Sequence, residues 1–558
     1  MSMKAISLVV IVLVGATVAA AQVDEARQAM DRGDNVRAVD ILSDALATRP
    51  AADVYLYLGI AYSRMKEFQK AEDVLNEGGK RYPQDARFHN ELAHLFLTNN
   101  DTEAAKSALR RALVVDPIDN HASDLLATID MSEGDVQSAL RSWNKGGRPV
   151  IDDVLHNYYQ TFGSWVVRNA VAFRPSSVLP YDKWKTTESR LLETDNFANV
   201  GLEVEPAGAP DQYTAIVRTA AKTNSLADFL FNLVKGAPVD TSYVDVWNIG
   251  NSGMNFNGNY RWDRDRRRAE GQLKIPIPIS GLLHLEIGNT WRSERWDLSS
   301  SIRPESRPRA RFDYKANTLR IHLKQIPHYR VQLGGGFEYR NRSAKGDLPE
   351  LSTDSSNTGR FSIETNFRLL DGGYQNRLHF EAFAARRSIV GNAQFTGGIA
   401  EIDNRVTLSK DTRTYLNWTV KTGTARGRLP VEDYFALGLD THTDYPLRGH
   451  TAAEHGRYGR GPMGTDFVLV NTDIDRRLAT IPLFNTLNIP FLTVKWELFF
   501  DGAKTWDRNR IFQQGKLLLD TGGGLRFETP THSLNLIYGR SLRDGRNVLF
   551  GYYERRLW

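Results

Sequence analysis

Cysteine is absent from the 558 residues, which excludes disulfides and thiolate metal sites and is compatible with export without showing it. Beyond the N-terminus there is no run of about 18 apolar residues, so a membrane-embedded chain would have to cross with strands rather than helices. A marked surplus of one sign of charge is missing too. Lysine and arginine number 71 against 66 aspartates and glutamates, a net charge of +5. That is too small and too dispersed to mark a nucleic-acid-binding surface. The 12 histidines show no ligand spacing such as His-Glu-x-x-His, and neither a Gly-x-Ser-x-Gly elbow nor a phosphate loop occurs. No catalytic residue, metal site or cofactor is expected, and the chain does not read as an enzyme.

What is present is the ordinary composition of folded protein at a length that implies two to four domains. The N-terminus reads as a secretion signal. Lys4 supplies the charge, Ile6 to Val14 the apolar stretch and Ala19-Ala20-Ala21 the small-residue cleavage site, which assigns residues 1–21 to the signal and starts the mature chain at Gln22. An uncleaved anchor is the alternative.

Residues 22–147 are helical and repetitive. Pro50, Pro83 and Pro117 recur at spacings of 33 and 34 residues. In that register Tyr55, Leu58, Gly59, Tyr62, Ala71, Leu75 and Gly78 line up with His89, Leu92, Ala93, Phe96, Ala105, Leu109 and Ala112. Partial copies lie on either side. Small residues let paired helices approach and large ones fill the space between them, and the pattern resembles a tetratricopeptide array of three to four repeats. Such an array offers a concave surface for a peptide or protein partner, or serves only as a spacer or dimerisation element.

Gly146-Gly147-Arg148-Pro149 ends the helical pattern. A small α+β segment is expected at 162–222: a strand at Trp165–Phe173, a helix at Tyr181–Glu193, and strands at Val200–Glu205 and Tyr213–Thr219. The run from Ser189 to Val200 resembles the helix-to-strand joint of a polypeptide-transport-associated (POTRA) domain. A generic α+β linker domain is the alternative.

From 238 to 558 the pattern has a period of two. Leu319, Ile321 and Leu323 alternate with Arg320, His322 and Lys324. Tyr329, Val331 and Leu333 alternate with Arg330 and Gln332, and the run starting at Met254 behaves likewise. In the longest example Leu492, Val494, Trp496, Leu498 and Phe500 share one parity, while Lys495, Glu497, Phe499, Asp501 and Ala503 share the other. Charged faces of this kind suit a hydrated lumen better than a dry core, with the apolar faces turned to lipid. At roughly 20 residues per strand and turn, the region predicts a transmembrane antiparallel barrel of about 16 strands; a soluble sandwich or propeller is the alternative. Asp263–Arg268 reads as a solvated turn. The two glycine triplets, 334–336 and 522–524, read as kinks or close backbone approaches within strands.

Several short motifs in this region resemble those of the outer-membrane protein assembly superfamily, which includes BamA, TamA and the two-partner secretion transporters. Leu447-Arg448-Gly449-His450 is similar to the family's arginine-glycine-aromatic loop motif, with histidine in the aromatic position. Phe499-Phe500-Asp501-Gly502-Ala503 is similar to its Phe-x-Asp-x-Gly strand motif, with Ala503 in place of glycine. The resemblance implies a loop folded into the lumen, where Arg448 and Gly449 meet the wall near Asp501. It also implies insertion, assembly or translocation of a polypeptide client at the bacterial outer membrane, with the N-terminal domains in the periplasm and membrane lipid outside. On this reading the barrel seam lies between a first strand near Met254 and a last strand near Val548–Trp558, and an exposed edge there templates an incoming strand. A porin-like or substrate-specific channel whose repeats dock a partner is the alternative, and a soluble repeat scaffold a third.

Overall fold

The computed structural model describes residues 21–555. It leaves out 158–163, 305–309, 388–390, 441–443, 483–490 and several positions of one or two residues. The expected signal at 1–21 lies outside the described residues except for its last position. The chain divides into two compact units: residues 1–155, 174–181 and 202–216, and residues 156–173, 182–201 and 217–558.

The first unit begins with eight helices. Residues 21–31 form α1, followed by α2 (Asn35–Thr48), α3 (Ala52–Arg64), α4 (Phe68–Arg81), α5 (Arg87–Thr98), α6 (Thr102–Val115), α7 (Asn120–Ser132) and α8 (Val136–Lys145). They form four helix pairs. Aspartate starts many of these helices: the carboxylates of Asp34, Asp101, Asp119 and Asp135 each accept from the backbone N–H three residues on, at 3.0–3.1 Å. This satisfies one of the donors that every helix N-terminus leaves open. The small residues sit where helices touch. A Cβ on Gly78 would meet the Phe88 ring at 2.3 Å, and one on Gly59 would meet Leu75 at 2.5 Å. Tyr55, Leu75, Phe88, Leu92 and Leu109 fill the space those glycines leave. Lys106 is held between Asp130 at 2.8 Å and Glu133 at 2.6 Å, tying α6 to α7 and its C-cap.

The next segment forms a four-stranded sheet in the order β2-β1-β4-β3, where β1 is Val150–Asn157, β2 Ser177–Val178, β3 Phe197–Pro206 and β4 Gln212–Ala221. Helices α9 (Ser164–Ala170) and α10 (Tyr181–Glu193) alternate with these strands along the chain. The helix at 181–193 and the two long strands agree with the expectation from sequence. Trp165–Phe173 does not: its first part is helix. Val166, Val167 and Ala170 are buried, and the spacing of one helical turn between Val166 and Ala170 was hidden in a run too short for periodicity to separate helix from strand. The strand at Val150–Asn157 was not anticipated, because its Asp152-Asp153 pair interrupts the apolar alternation.

A further helix, α11 (Leu226–Lys235), leads into the closed barrel of the second unit. Its long strands are β5 (Thr241–Ile249), β6 (Met254–Arg261), β7 (Arg266–Ile277), β8 (Leu283–Asp297), β9 (Arg311–His328), β10 (Val331–Gly346), β11 (Thr353–Leu370), β12 (Tyr374–Ala385), β13 (Gln394–Ser409) and β14 (Thr414–Arg428). Four two-residue pieces, β15 to β18, lie between Phe435 and Gly464. The wall resumes with β19 (Asp466–Pro482), β20 (Phe491–Trp506), β21 (Leu518–Glu528), β22 (His532–Ser541) and β23 (Asn547–Arg555). That makes fifteen long strands among the described residues, in keeping with the sixteen or so expected. The first is Thr241–Ile249, so the seam begins one strand earlier than the expected Met254. The register shift between Val246 and Ile249 breaks the parity that would have revealed this strand. Asn224 makes good the shift: its side-chain amide pairs with both the N–H and the C=O of Trp247, at 2.8 and 2.6 Å.

Each join from β5 round to β23 is antiparallel. An odd number of strands joined in this way leaves β5 and β23 running in the same direction where the ring closes.

The wall is polar inside and apolar outside. Leu498 and Phe500 are 57% and 47% exposed, while Glu497, Phe499 and Asp501 between and beside them are at most 4% exposed. Leu319, Ile321 and Leu323 are likewise exposed. A soluble protein would bury these residues; a barrel in lipid turns them outward. Inside, charges pair across strands: Lys495 with Asp475 at 3.2 Å and Glu528 at 2.9 Å, and Arg526 with Glu497 at 2.7 Å. Tyr329 is not the start of a strand; it sits at the β9–β10 turn, where its N–H donates to Thr186 Oγ1 at 3.0 Å. That turn belongs to the rim facing α10. There Arg190 donates to the carbonyls of Ile326 and Pro327, Lys274 pairs with Glu193, and Asn196 donates to Gly253 O at 2.8 Å. We call this the near rim, and the opposite end the far rim.

Candidate functional site: a loop anchored inside the barrel

The chain between β14 and β19 leaves the far rim and turns back into the lumen. Within it Arg448 is buried, 3% exposed. The Arg448 Nε–H donates to Asp501 Oδ2 at 2.9 Å, its Nη2 also donates to Asp501, and its Nη1 donates to Asp473. The backbone N–H of Arg448 donates to the same Asp501 Oδ2 at 2.9 Å. The planar fork of arginine permits this two-pronged grip, which the point charge of lysine does not. The guanidinium also lies over the Phe499 ring, 4.0 Å from its centroid.

Register explains why the partners converge. Asn471 faces Asp501, Asp501 faces Asp520 and Asp520 faces Ser541 across four adjacent strands. All four are buried. Asn471 Nδ2 bridges Asp501 Oδ1 and Pro446 O at 2.8 Å each. Asp520 takes the next two loop residues, accepting from Gly449 N–H at 2.6 Å and contacting His450 Nδ1 at 3.0 Å. The fit is close. A Cβ on Gly449 would meet the Asp520 carboxylate at 2.5 Å, and one on Gly539 would meet Arg448 O at 2.0 Å. Leu447 and Ala503 join the apolar cluster beside the site.

The structure therefore brings together Leu447, Arg448, Gly449, His450, Phe499 and Asp501, with Ala503 at the margin. Sequence reasoning had no place for Asp520, although it shares the parity of Gly522 and Gly524. It also missed two further anchors of the loop. Asp440 pairs with Arg266 at 2.8 Å and Arg261 at 3.2 Å, with Asp263 bridging the same two arginines. Glu432 and Asp433 pair with Arg340 at 3.1 and 3.0 Å. The reading of Asp263–Arg268 as a solvated turn is thus corrected: Asp263, Asp265 and Arg266 are buried. A dense run of mixed charge looks the same in sequence whether its partners are water or a distant loop.

Among the described residues no cluster of metal-ligating side chains occurs, and no helix is long and apolar enough to cross a membrane. The latter says nothing of strands.

The tetratricopeptide repeat family matches residues 29–95 and, in a second form, 90–147. Among solved structures, CdiB from Escherichia coli is similar with a TM-score of 0.51 and 12% identity, covering 73% of this chain and 76% of that one. CdiB from Acinetobacter baumannii gives 0.50 and 13%, with 80% and 81% covered. BamA from Haemophilus ducreyi lacking POTRA domains 1–3 gives 0.44 and 11%, with 74% and 85% covered. At these identities the likeness is one of fold. No curated protein matches the chain. The class defined is a tetratricopeptide array joined to a closed β-barrel of the CdiB fold.

Proposed function

We propose that this protein inserts, assembles or translocates polypeptides at the bacterial outer membrane, with residues 22–147 recruiting a client or partner in the periplasm, 162–222 acting as a POTRA-like adaptor and 238–558 forming the membrane barrel. The observation that carries the reading is the loop held inside the lumen by Arg448 on Asp501 and Asp473. A passive pore has no need of a plug held by three separate charge clusters, and the same plug counts against the porin-like alternative. The mechanism needs no covalent chemistry. β5 and β23 run in the same direction, whereas the joins between the other long wall strands are antiparallel, and parallel pairing is slightly weaker per residue. Opening this seam would expose two strand edges, and an incoming strand could pair with either. The helical array supports a recruiting role, because stacked repeats form a core of their own and present a continuous concave face. Depletion of the protein tests this reading. The expected result is loss of a subset of other outer-membrane barrels or secreted proteins at unchanged transcript levels. Normal levels of all of them, with altered small-solute uptake instead, would favour the channel.

A further inference from the structure

At the far rim, away from the Arg448 site, two aspartates and five arginines surround a cavity of about 480 Å³. The aspartates lie at the bottom, with side chains 7% and 6% exposed. Asp265 holds Arg295 at 3.0 Å and Arg457 at 3.4 Å. Asp297 holds Arg311 and Arg460, each at 3.4 Å. Arg264 completes the lining. The arginines come from four separate stretches of chain: the β6–β7 turn, the end of β8, the start of β9 and the lumen loop. Their side chains remain open, with Arg295 at 62% and Arg311 at 74% exposed. The lining carries five guanidiniums to two carboxylates, and a further carboxylate, Asp313, lies 3.8 Å from Arg295. A solvated surface would spread like charges apart; here buried carboxylates draw them together and aim the forks at one volume.

We propose that this basin binds a ligand bearing two or more phosphate groups, and that binding fastens the lumen loop to β8 and β9. Guanidinium forks match phosphate oxygens two at a time, and a ligand with two or more phosphates can meet forks that come from separate stretches of chain. The second part follows from what lies beneath. Arg457 and Arg460 flank Tyr458 and Gly459. The Tyr458 ring packs edge-on to Trp296 at 4.8 Å, and Ser301 Oγ donates to Gly459 O at 2.9 Å. A ligand bridging Arg457 and Arg460 to Arg295 and Arg311 would add a clamp above this contact. The same chemistry is available from a diphosphorylated glycolipid in the surrounding membrane and from a soluble polyphosphate.

The test uses the full chain purified in detergent, at physiological salt. Binding of inorganic tripolyphosphate and of micelles doped with lipid A is measured separately, and hydrogen exchange is followed over residues 457–461. Saturable binding of either probe, with slowed exchange in that stretch, is the expected result; the probe that binds identifies the source. The Arg311→Gln/Arg457→Gln double variant should weaken binding roughly tenfold for each guanidinium removed, whereas Lys410→Gln at the near rim should leave it unchanged. Absence of saturable binding by both probes, or equal binding by the double variant with a native barrel spectrum, would overturn the proposal.

Discussion

Asp501 is engaged twice by Arg448: its carboxylate accepts from the guanidinium and, through Oδ2, from the backbone N–H of the same residue at 2.9 Å. Side chain and backbone of one loop residue are thereby fixed to one point on the wall.

The two residues should not be equivalent on substitution. Arg448→Ala strips the guanidinium from buried Asp501 and half-buried Asp473, whereas Asp501→Ala leaves Arg448 its contact with Asp473. Breaking a buried pair costs about 3–5 kcal/mol. Arg448→Ala is expected at the upper end of that range and Asp501→Ala lower, with the double variant far short of the sum. Arg448→Lys should recover little. Protease sensitivity of the loop, read alongside function, measures this, and strictly additive effects would mean the contact does not hold the loop.

Gly449→Ala and Gly539→Ala should both push the loop off the wall, the second more severely. The added methyl of the first meets a side-chain carboxylate at 2.5 Å, which can shift; that of the second meets the backbone carbonyl of Arg448 at 2.0 Å, which can shift only if the loop moves. Loop accessibility to a bulky labelling reagent should rise in that order, while the heat-modifiable migration of the barrel stays native.

The repeat array should soften on mild acidification. His94 Nε2 lies 2.8 Å from His121 Nε2, and burial, then the His121 charge, lowers the His94 pKa; burial lowers that of His89. Histidines depressed in the folded state bind protons better when unfolded, so they remove stability as the pH falls below about 6.5, the unfolded value. Glu91, raised chiefly by burial, acts in the opposite sense and restores part of the loss only at lower pH, as it protonates. Protection factors over α5 and α7, in which the pH dependence of intrinsic exchange is divided out, should therefore fall between about pH 7 and 6, and His94→Gln should blunt the change. Protection factors indifferent to pH in that window would assign the pair no electrostatic role.

Orientation can be read from intact cells. If residues 22–222 lie in the periplasm, added protease should spare the repeats until the outer membrane is permeabilised. Cleavage between α1 and α8 in intact cells would reverse the arrangement.

Much of this was legible in sequence because the relevant signals are local and periodic. The 34-residue register exposed the repeats, and the two-residue alternation at Leu492–Ala503 placed Asp501 on the face that turned out to be buried. What stayed hidden was long-range or aperiodic. The first strand, Thr241–Ile249, lost its parity to a register shift. The helix at 164–170 was too short for its period to show. Asp440 with Arg266, and Glu432 with Arg340, are separated by more than 90 residues, and nothing in either local sequence distinguishes a charge awaiting a partner from one facing water. Asp520 escaped notice for a related reason: its role depends on register across three strands, and one sequence does not display register.

The central claim, that polypeptides pair with the edge of the barrel, is tested most directly by photocrosslinking in living cells. A crosslinker at Val244 on β5, beside the seam, is compared with one at Ile363, exposed on the lipid face of β11. Pairing at the seam predicts that Val244 captures other outer-membrane or secreted chains, identified by mass spectrometry, while Ile363 captures none. Equal capture at both positions, or none at Val244 in cells where the protein is functional, would contradict it.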